Sequence, residues 1–182
     1  MIKLVNRSLF ISGAGTGIGL ATARLAHSLG AKVSGTVLSD DQIGNLQCII
    51  PNERCFKLDV TDSAALRAAV DKAASICGGL NGVVASAGII KLLTSEDTNP
   101  DDWARILDVN LNASFNLAQY SIPYLRQGES GSIIMISSQI GLVGHRNAAA
   151  YAASKSAING LARSMALELA GDNIRVNAIA PG

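Results

Sequence analysis

The chain has 182 residues, 48% of them hydrophobic and 16% charged, with a formal net charge of +1. A chain of this length buries roughly 70% of the surface it exposes when unfolded, enough for a core without disulfides or metal. Its lysines and arginines are scattered, which leaves no electrostatic footprint for nucleic acid or an anionic membrane and excludes both as partners. Cys48, Cys55 and Cys77 form no CxxC pair and have no histidine at ligand spacing, so neither a disulfide framework nor zinc is indicated and a reducing cytoplasm is expected. The opening "MIKLVNRSLFISGAG" has too short an apolar stretch for a signal peptide.

In chain order, short β-branched runs alternate with longer stretches rich in Ala and Leu, the rhythm of βαβ units. Strands are predicted over 8–12 (SLFIS), 32–37 (KVSGTV), 54–58 (RCFKL), 82–86 (GVVAS), 132–137 (SIIMIS) and 174–179 (IRVNAI). Several are apolar along their whole length, as strands buried on both faces are, which predicts an α/β doubly wound parallel sheet covered by helices. The first strand runs into "SGAGTGIG", which fails the G-x-G-x-x-G spacing: the sixth position is Ile18 counted from Gly13 and Leu20 counted from Gly15. It fits G-x-x-x-G-x-G with Gly13, Gly17 and Gly19. Such a turn brings backbone N–H groups and a helix N-terminus up to a pyrophosphate without an obstructing Cβ, although a tight turn without ligand has the same look.

After the third strand, "LDVTD" reads as a helix N-cap through Thr61 or Asp62. Residues 101–125, "DDWARILDVNLNASFNLAQYSIPYL", are apolar on more faces than packing against one side of a sheet requires. In "SSQIGLVGHRNAAAYAASK", Ser138 is followed by Tyr151 and, four residues on, by Lys155. Spaced i and i+4, Tyr151 and Lys155 leave one helix face. A free tyrosine has a pKa of about 10, and a cation beside it favours the phenolate. Taken singly, Tyr151 also reads as a half-buried amphipathic residue and Lys155 as a solvated charge.

These motifs together resemble the short-chain dehydrogenase/reductase family: "SGAGTGIG", "LDVTD", "ASAG" at 85–88, "VNL" at 109–111, Ser138 with Tyr-x-x-x-Lys, and "IRVNAIAPG". The resemblance covers nearly the whole chain and implies a Rossmann-like, NAD(P)-binding domain over 1–182. It implies hydride transfer between a nicotinamide cofactor and an alcohol or ketone. In that scheme Tyr151 is the general acid/base, Lys155 holds the nicotinamide ribose, Ser138 binds the substrate oxygen, and Asn110 sits at a helical irregularity that positions a water. Cofactor contacts are implied for Gly13, Thr16, Gly17, Ile18, Gly19, Asp59, Val60, Ala87, Gly88, Tyr151, Lys155, Pro181 and Gly182, with Asp59 and Val60 at the adenine. No metal is implied.

Two departures qualify the match. Ala85 and Ser86 stand where the family often has two asparagines, so a supporting side-chain hydrogen bond is expected to be lost. Val37 occupies the place of the acidic residue that reads the NAD ribose, yet no Lys or Arg occurs from residue 33 to 53 to hold a 2′-phosphate. NAD is therefore expected over NADP, with Asp40 and Asp41 serving if their loop curls back. His27 reads as a surface or interhelical residue, and His145 and Arg146 as part of a solvated loop.

The resemblance also implies a substrate loop, a helix and a further strand after Pro181 and Gly182, so the chain is expected to be an interrupted dehydrogenase with little turnover and poor solubility. It further implies a homodimer through the 101–125 segment and the Tyr151 helix. Three functions compete at this stage: a dehydrogenase or reductase of small-molecule alcohols and ketones, a dinucleotide-binding protein without turnover, and a fragment.

Overall fold

A computed structural model describes residues 3–182. Six parallel strands form one sheet: β1 (Ser8–Ser12), β2 (Lys32–Val37), β3 (Cys55–Lys57), β4 (Gly82–Ala85), β5 (Gly131–Ile136) and β6 (Ile174–Ile179), in the order β3-β2-β1-β4-β5-β6. The order reverses between β1 and β4, and in doubly wound sheets a crevice opens at that point beyond the carboxyl ends of the strands.

The helices are α1 (Gly17–Ser28), α2 (Asp40–Gln47), α3 (Ser63–Cys77), α4 (Pro100–Leu107), α5 (Ala113–Leu125) and α6 (Ala149–Leu169). Local chemistry sets their ends. Asp62 caps α3 by accepting from Ala65 N, and Gly78 ends it in the left-handed conformation. Asn99 caps α4, with Pro100 in its first turn. One core, centred on Phe10, Leu66, Leu117, Ile133, Met135 and Ile158, packs α3, α5 and α6 against the sheet. A smaller one, centred on Ile11, Val33 and Leu46, packs α1 and α2 on the other side.

The predicted strands at 8–12, 32–37 and 174–179 coincide with β1, β2 and β6, while 54–58 shortens by one residue at each end, 82–86 by one at its end, and 132–137 shifts by one. Burial on both faces holds for β1, β2 and β4 only. In β5 and β6 it alternates: Ile133, Met135, Ile174 and Val176 are buried, whereas Ile134 and Ile136 are half-buried and Arg175 and Asn177 exposed. The first set faces the α6 side, and of the second Ile134 and Ile136 pack against the smaller core on the other side.

The 101–125 segment is not one regular helix. A π-helical turn over Asp108–Asn112 joins α4 to α5 and places Asn110 in the interior. Ile106, Val109 and Leu117 are buried, Leu111, Tyr120 and Tyr124 half-buried, and Trp103 and Phe115 exposed. Among the described residues no helix is long and apolar enough to cross a membrane.

Candidate active site

A cavity of about 640 Å³ opens beyond the carboxyl ends of the strands, at the point where the strand order reverses. Its first wall is the turn between β1 and α1. Gly13 lies at φ +66°, its N–H donates to Thr36 Oγ1 at 3.2 Å, and Ala14 N donates to Thr36 O at 2.8 Å, so β2 holds the turn. A Cβ on Gly13 would come within 2.8 Å of the Ala87 Cα, and one on Gly19 within 2.1 Å of the Gly13 carbonyl oxygen. Glycine at both places lets turn, helix and the β4 loop meet backbone to backbone. At the start of α1, Thr16 makes no side-chain capping bond and no acidic residue occupies the first turn, so the amide donors there remain open. Together with the cavity lining of Gly13, Thr16, Gly17 and Ile18, this fits a bound pyrophosphate.

The next wall follows β4. Ser12 Oγ accepts from Ser86 N at 3.1 Å and Ala87 N at 3.2 Å, so a serine of β1 holds the loop in which Ala85 and Ser86 replace the asparagines. Asn110 Oδ1 accepts from Ile89 N at 2.8 Å, while its amide donates to Ile89 O and to Ser154 Oγ, each at 3.0 Å. Ser154 Oγ donates in turn to Tyr151 O at 2.7 Å. Asn110 therefore ties the β4 loop to α6 and is itself fully buried.

Asp59 and Val60 line the cavity beside Val37, Leu38 and Gln42. Asp59 accepts from Thr61 N, Thr61 Oγ1 and, at 2.8 Å, Arg105 Nη2. Burial pushes the Asp59 carboxyl up, but the bonds from Thr61 and Arg105 outweigh this and hold it below the usual carboxylate range. Asp40 pairs with Lys57 and Asp41 accepts from Ser39, and neither lines the cavity. The loop does not curl back, the condition on which these aspartates would serve, because α2 begins at Asp40 and carries Gln42 to the wall instead.

At the far end, Ser138, Tyr151 and Lys155 line the same cavity, together with Pro181 and Gly182. Ser138 Oγ accepts from Ile140 N at 3.2 Å, which leaves its O–H free to donate. Lys155 is buried, its Nζ donates to Ile136 O at 2.7 Å, and it lies 5.7 Å from the centre of the Tyr151 ring. Burial pushes its ammonium down to about 8. Ser137 Oγ donates to Lys155 O at 2.9 Å, fixing α6 against the end of β5. Pro181 O accepts from Gln139 N at 2.8 Å.

Of the residues expected at the site, Gly19 and Asn110 stand outside the cavity wall, Gly19 packing helix on turn and Asn110 bracing loop on helix. Sequence reasoning missed Ser12, Thr36, Arg105 and Ser154. The available signal for Ser12 and Thr36 was a small polar residue at or near the end of a strand. Arg105 and Ser154 are recognisable only once the fold brings α4 to the Asp59 loop and α6 to Asn110.

The profile of the short chain dehydrogenase family matches residues 7–182. A 3-alpha-(or 20-beta)-hydroxysteroid dehydrogenase of Mycobacterium tuberculosis is 39% identical over 181 residues, covering 99% of this chain and 70% of that protein. A 3-oxoacyl-acyl-carrier-protein reductase of Thermotoga maritima is 34% identical over 185 residues, covering 100% of this chain and 75% of that protein. The solved structure of an NAD+-bound xylitol dehydrogenase superposes with a TM-score of 0.94 at 30% identity, covering 100% of this chain and 72% of that one. Strand order, glycine turn and sequence agree, and the chain belongs to the short-chain dehydrogenase/reductase family.

Proposed function

We propose that this chain binds NAD in preference to NADP and that Tyr151 is the general acid/base for hydride exchange with an alcohol or ketone. As a member of its family it is an NAD(P)-dependent oxidoreductase acting on CH–OH groups. One observation carries the finer assignment: a single cavity joins the open amide donors of Thr16–Ile18 to Ser138, Tyr151 and Lys155. When bound, the nicotinamide supplies the acceptor or donor of the hydride. In the oxidative direction the alcohol carbon loses its hydrogen with both bonding electrons, and the hydroxyl proton passes to the Tyr151 oxygen, leaving a ketone. Ser138 Oγ–H donates to the substrate oxygen as charge develops there. The Lys155 cation beside the Tyr151 ring counters negative charge on the phenol oxygen.

The preference for NAD rests on the wall at the end of β2. Val37, Leu38 and Gln42 offer no cation to a 2′-phosphate, and Arg105, the nearby cation of the wall, is committed to Asp59. Exposed Trp103 and Phe115 on neighbouring helices support assembly as a homodimer through that face, which light scattering would test. Titration with NAD and NADP, followed by an assay of secondary alcohols and ketones by cofactor absorbance, tests the whole reading. Tighter NAD binding, with hydride transfer however slow, is expected; NADP preference or no detectable transfer would overturn the respective part.

A further inference from the structure

Between the glycine turn and the Asp59 loop the cavity wall is completed by the first turn of α2. Gln42 lines the cavity there, half-buried, beside Val37 and Leu38. Two contacts pin it. A Cβ on Gly15 would stand 2.6 Å from the Gln42 Cβ and 2.9 Å from Val37 Cγ1, so α2 sits against the turn with no room between them. Asn45, three residues on, donates through Nδ2 to Gly15 O at 3.2 Å. Residue 42 is thereby held where the turn meets the end of β2. The orientation of its amide follows from its partner. Leu38 N donates to Gln42 Oε1 at 3.1 Å, and a backbone N–H requires an oxygen, so the oxygen is turned to the loop between β2 and α2 and Nε2 keeps its donors for another partner.

The position decides what the amide meets. With the pyrophosphate at Thr16–Ile18 and the adenine at Asp59 and Val60, the ribose that joins them passes the end of β2, where doubly wound folds that bind dinucleotides read the 2′-hydroxyl. Val37 and Leu38 have no polar side-chain atom for that task. The aspartates of α2 are engaged elsewhere, Asp40 with Lys57 and Asp41 with Ser39, and Gln42 is the residue of α2 in the cavity wall. It brings a neutral donor to the ribose. A donor holds a hydroxyl without repelling a phosphate, whereas a carboxylate at the same place would accept from the hydroxyl and repel a 2′-phosphate, and a guanidinium would attract one.

We infer that Gln42 reads the adenosine ribose, its Nε2 donating to the 2′-hydroxyl, and that the side chain at this position sets the choice between NAD and NADP. This rests on the reading of the cavity as a dinucleotide site. The test uses ligands confined to the adenosine end: 5′-AMP, 2′-deoxy-5′-AMP and adenosine 2′,5′-bisphosphate, titrated calorimetrically into the parent chain and three variants. The parent should bind 5′-AMP about threefold to tenfold more tightly than its 2′-deoxy form, the worth of one hydrogen bond, and Gln42→Ala should remove that difference. No difference in the parent, or one that survives in Gln42→Ala, overturns the inference. Gln42→Glu and Gln42→Arg should shift the bisphosphate in opposite directions. Relative to 5′-AMP, its affinity should fall at least about tenfold in the first and rise at least about tenfold in the second. Variants that merely disturbed α2 would move the ratio alike, and a ratio that moves alike or not at all overturns the assignment. A parent that binds none of these ligands, nor NAD or NADP, at millimolar concentration overturns the dinucleotide reading beneath it. A parent that favours the bisphosphate overturns the NAD preference alone, while opposed shifts in the two variants still uphold Gln42 as the reader.

Discussion

At the Gly13 end of the cavity the wall is backbone; at the Tyr151 end it is side chain. The first end consists of a strand-to-helix turn, a loop held by Ser12 and Thr36, and amide donors with no side chain across them. The second is a constellation on the end of β5 and the first two turns of α6, braced from behind by Asn110, Ser137 and Ser154. The two materials fail differently. A backbone wall is broken by an added atom and is indifferent to functional groups, whereas a side-chain wall tolerates a change of volume but not the loss of one oxygen or nitrogen.

The strongest way to break the comparison is to add one carbon. In Gly19→Ala the new Cβ would stand 2.1 Å from the Gly13 carbonyl oxygen, a backbone atom that cannot rotate away. Loss of the turn, and with it at least about 3 kcal/mol of stability, is expected. Gly17→Ala is the control. Its Cβ would meet nothing within 4 Å, so only the φ of +50° is strained, at about 1–2 kcal/mol. Equal melting temperatures for the two variants would refute a backbone-built wall. At the other end, Tyr151→Phe removes one oxygen and keeps the ring. Turnover should fall by about 10²–10⁴-fold while NAD affinity stays within about twofold. Substantial residual hydride transfer would take Tyr151 out of the proposed role.

The same contrast explains what could be read from the sequence. Glycine spacing and an i, i+4 Tyr-Lys pair are local patterns, and the sheet follows from the alternation of apolar runs, so the six strands, the turn and Ser138, Tyr151 and Lys155 were legible. The bracing contacts were not. Asn110 was singled out through the resemblance, but the meeting of its amide with Ile89 and Ser154, 21 and 44 residues away in the chain, is encoded by no local pattern. The condition on which Asp40 or Asp41 would serve the cofactor is not met, for a local reason: Ser39 is the N-cap residue of α2, which fixes both aspartates in the first helical turn, outside the cavity wall. The half-buried face of β5 was misread because an apolar run reports strand-forming tendency, not what covers each side.

Lys155 sharpens the comparison, since its charge is held in a dry place. Its ammonium titrates near 8 rather than 10.5 because burial disfavours the charged form. The sign follows. Below pH 8 the amine is protonated in both folded and unfolded chains, and the folded state bears the whole desolvation penalty, roughly 3 kcal/mol. As pH rises from 8 to 10.5 the folded chain releases the proton before the unfolded one does, so stability increases through that window. Lys155→Met lacks the penalty and also the bond to Ile136 O. The unfolding free energy of the parent should therefore climb relative to the variant by roughly 3 kcal/mol across that window, as read from urea titrations at its two ends. A pH-independent difference would show that the ammonium is better solvated than its burial implies. NAD affinity should fall in the same variant, as the assignment of Lys155 to the cofactor requires.

Arg105 is the place where the backbone end depends on a side chain. Its guanidinium reaches from α4 to Asp59 at 2.8 Å and to Thr61 Oγ1 at 3.0 Å, and both Arg105 and Asp59 line the cavity. The pair is more than a third exposed on each side, so its contribution to stability is about 1 kcal/mol or less. Its contribution to order is separate, because without Arg105 the Asp59 carboxylate keeps only its Thr61 contacts. If Asp59 meets the adenine, Arg105→Met should leave the melting temperature nearly unchanged and weaken binding of AMP several-fold, with nicotinamide mononucleotide binding and kcat unaffected. Arg105→Lys, which keeps the charge, should recover part of the AMP affinity. Calorimetric titration with the two mononucleotides separates the possibilities. Equal losses for both would mean that Arg105 supports the cavity as a whole, and no loss for either would mean that the Thr61 contacts alone hold Asp59 in place.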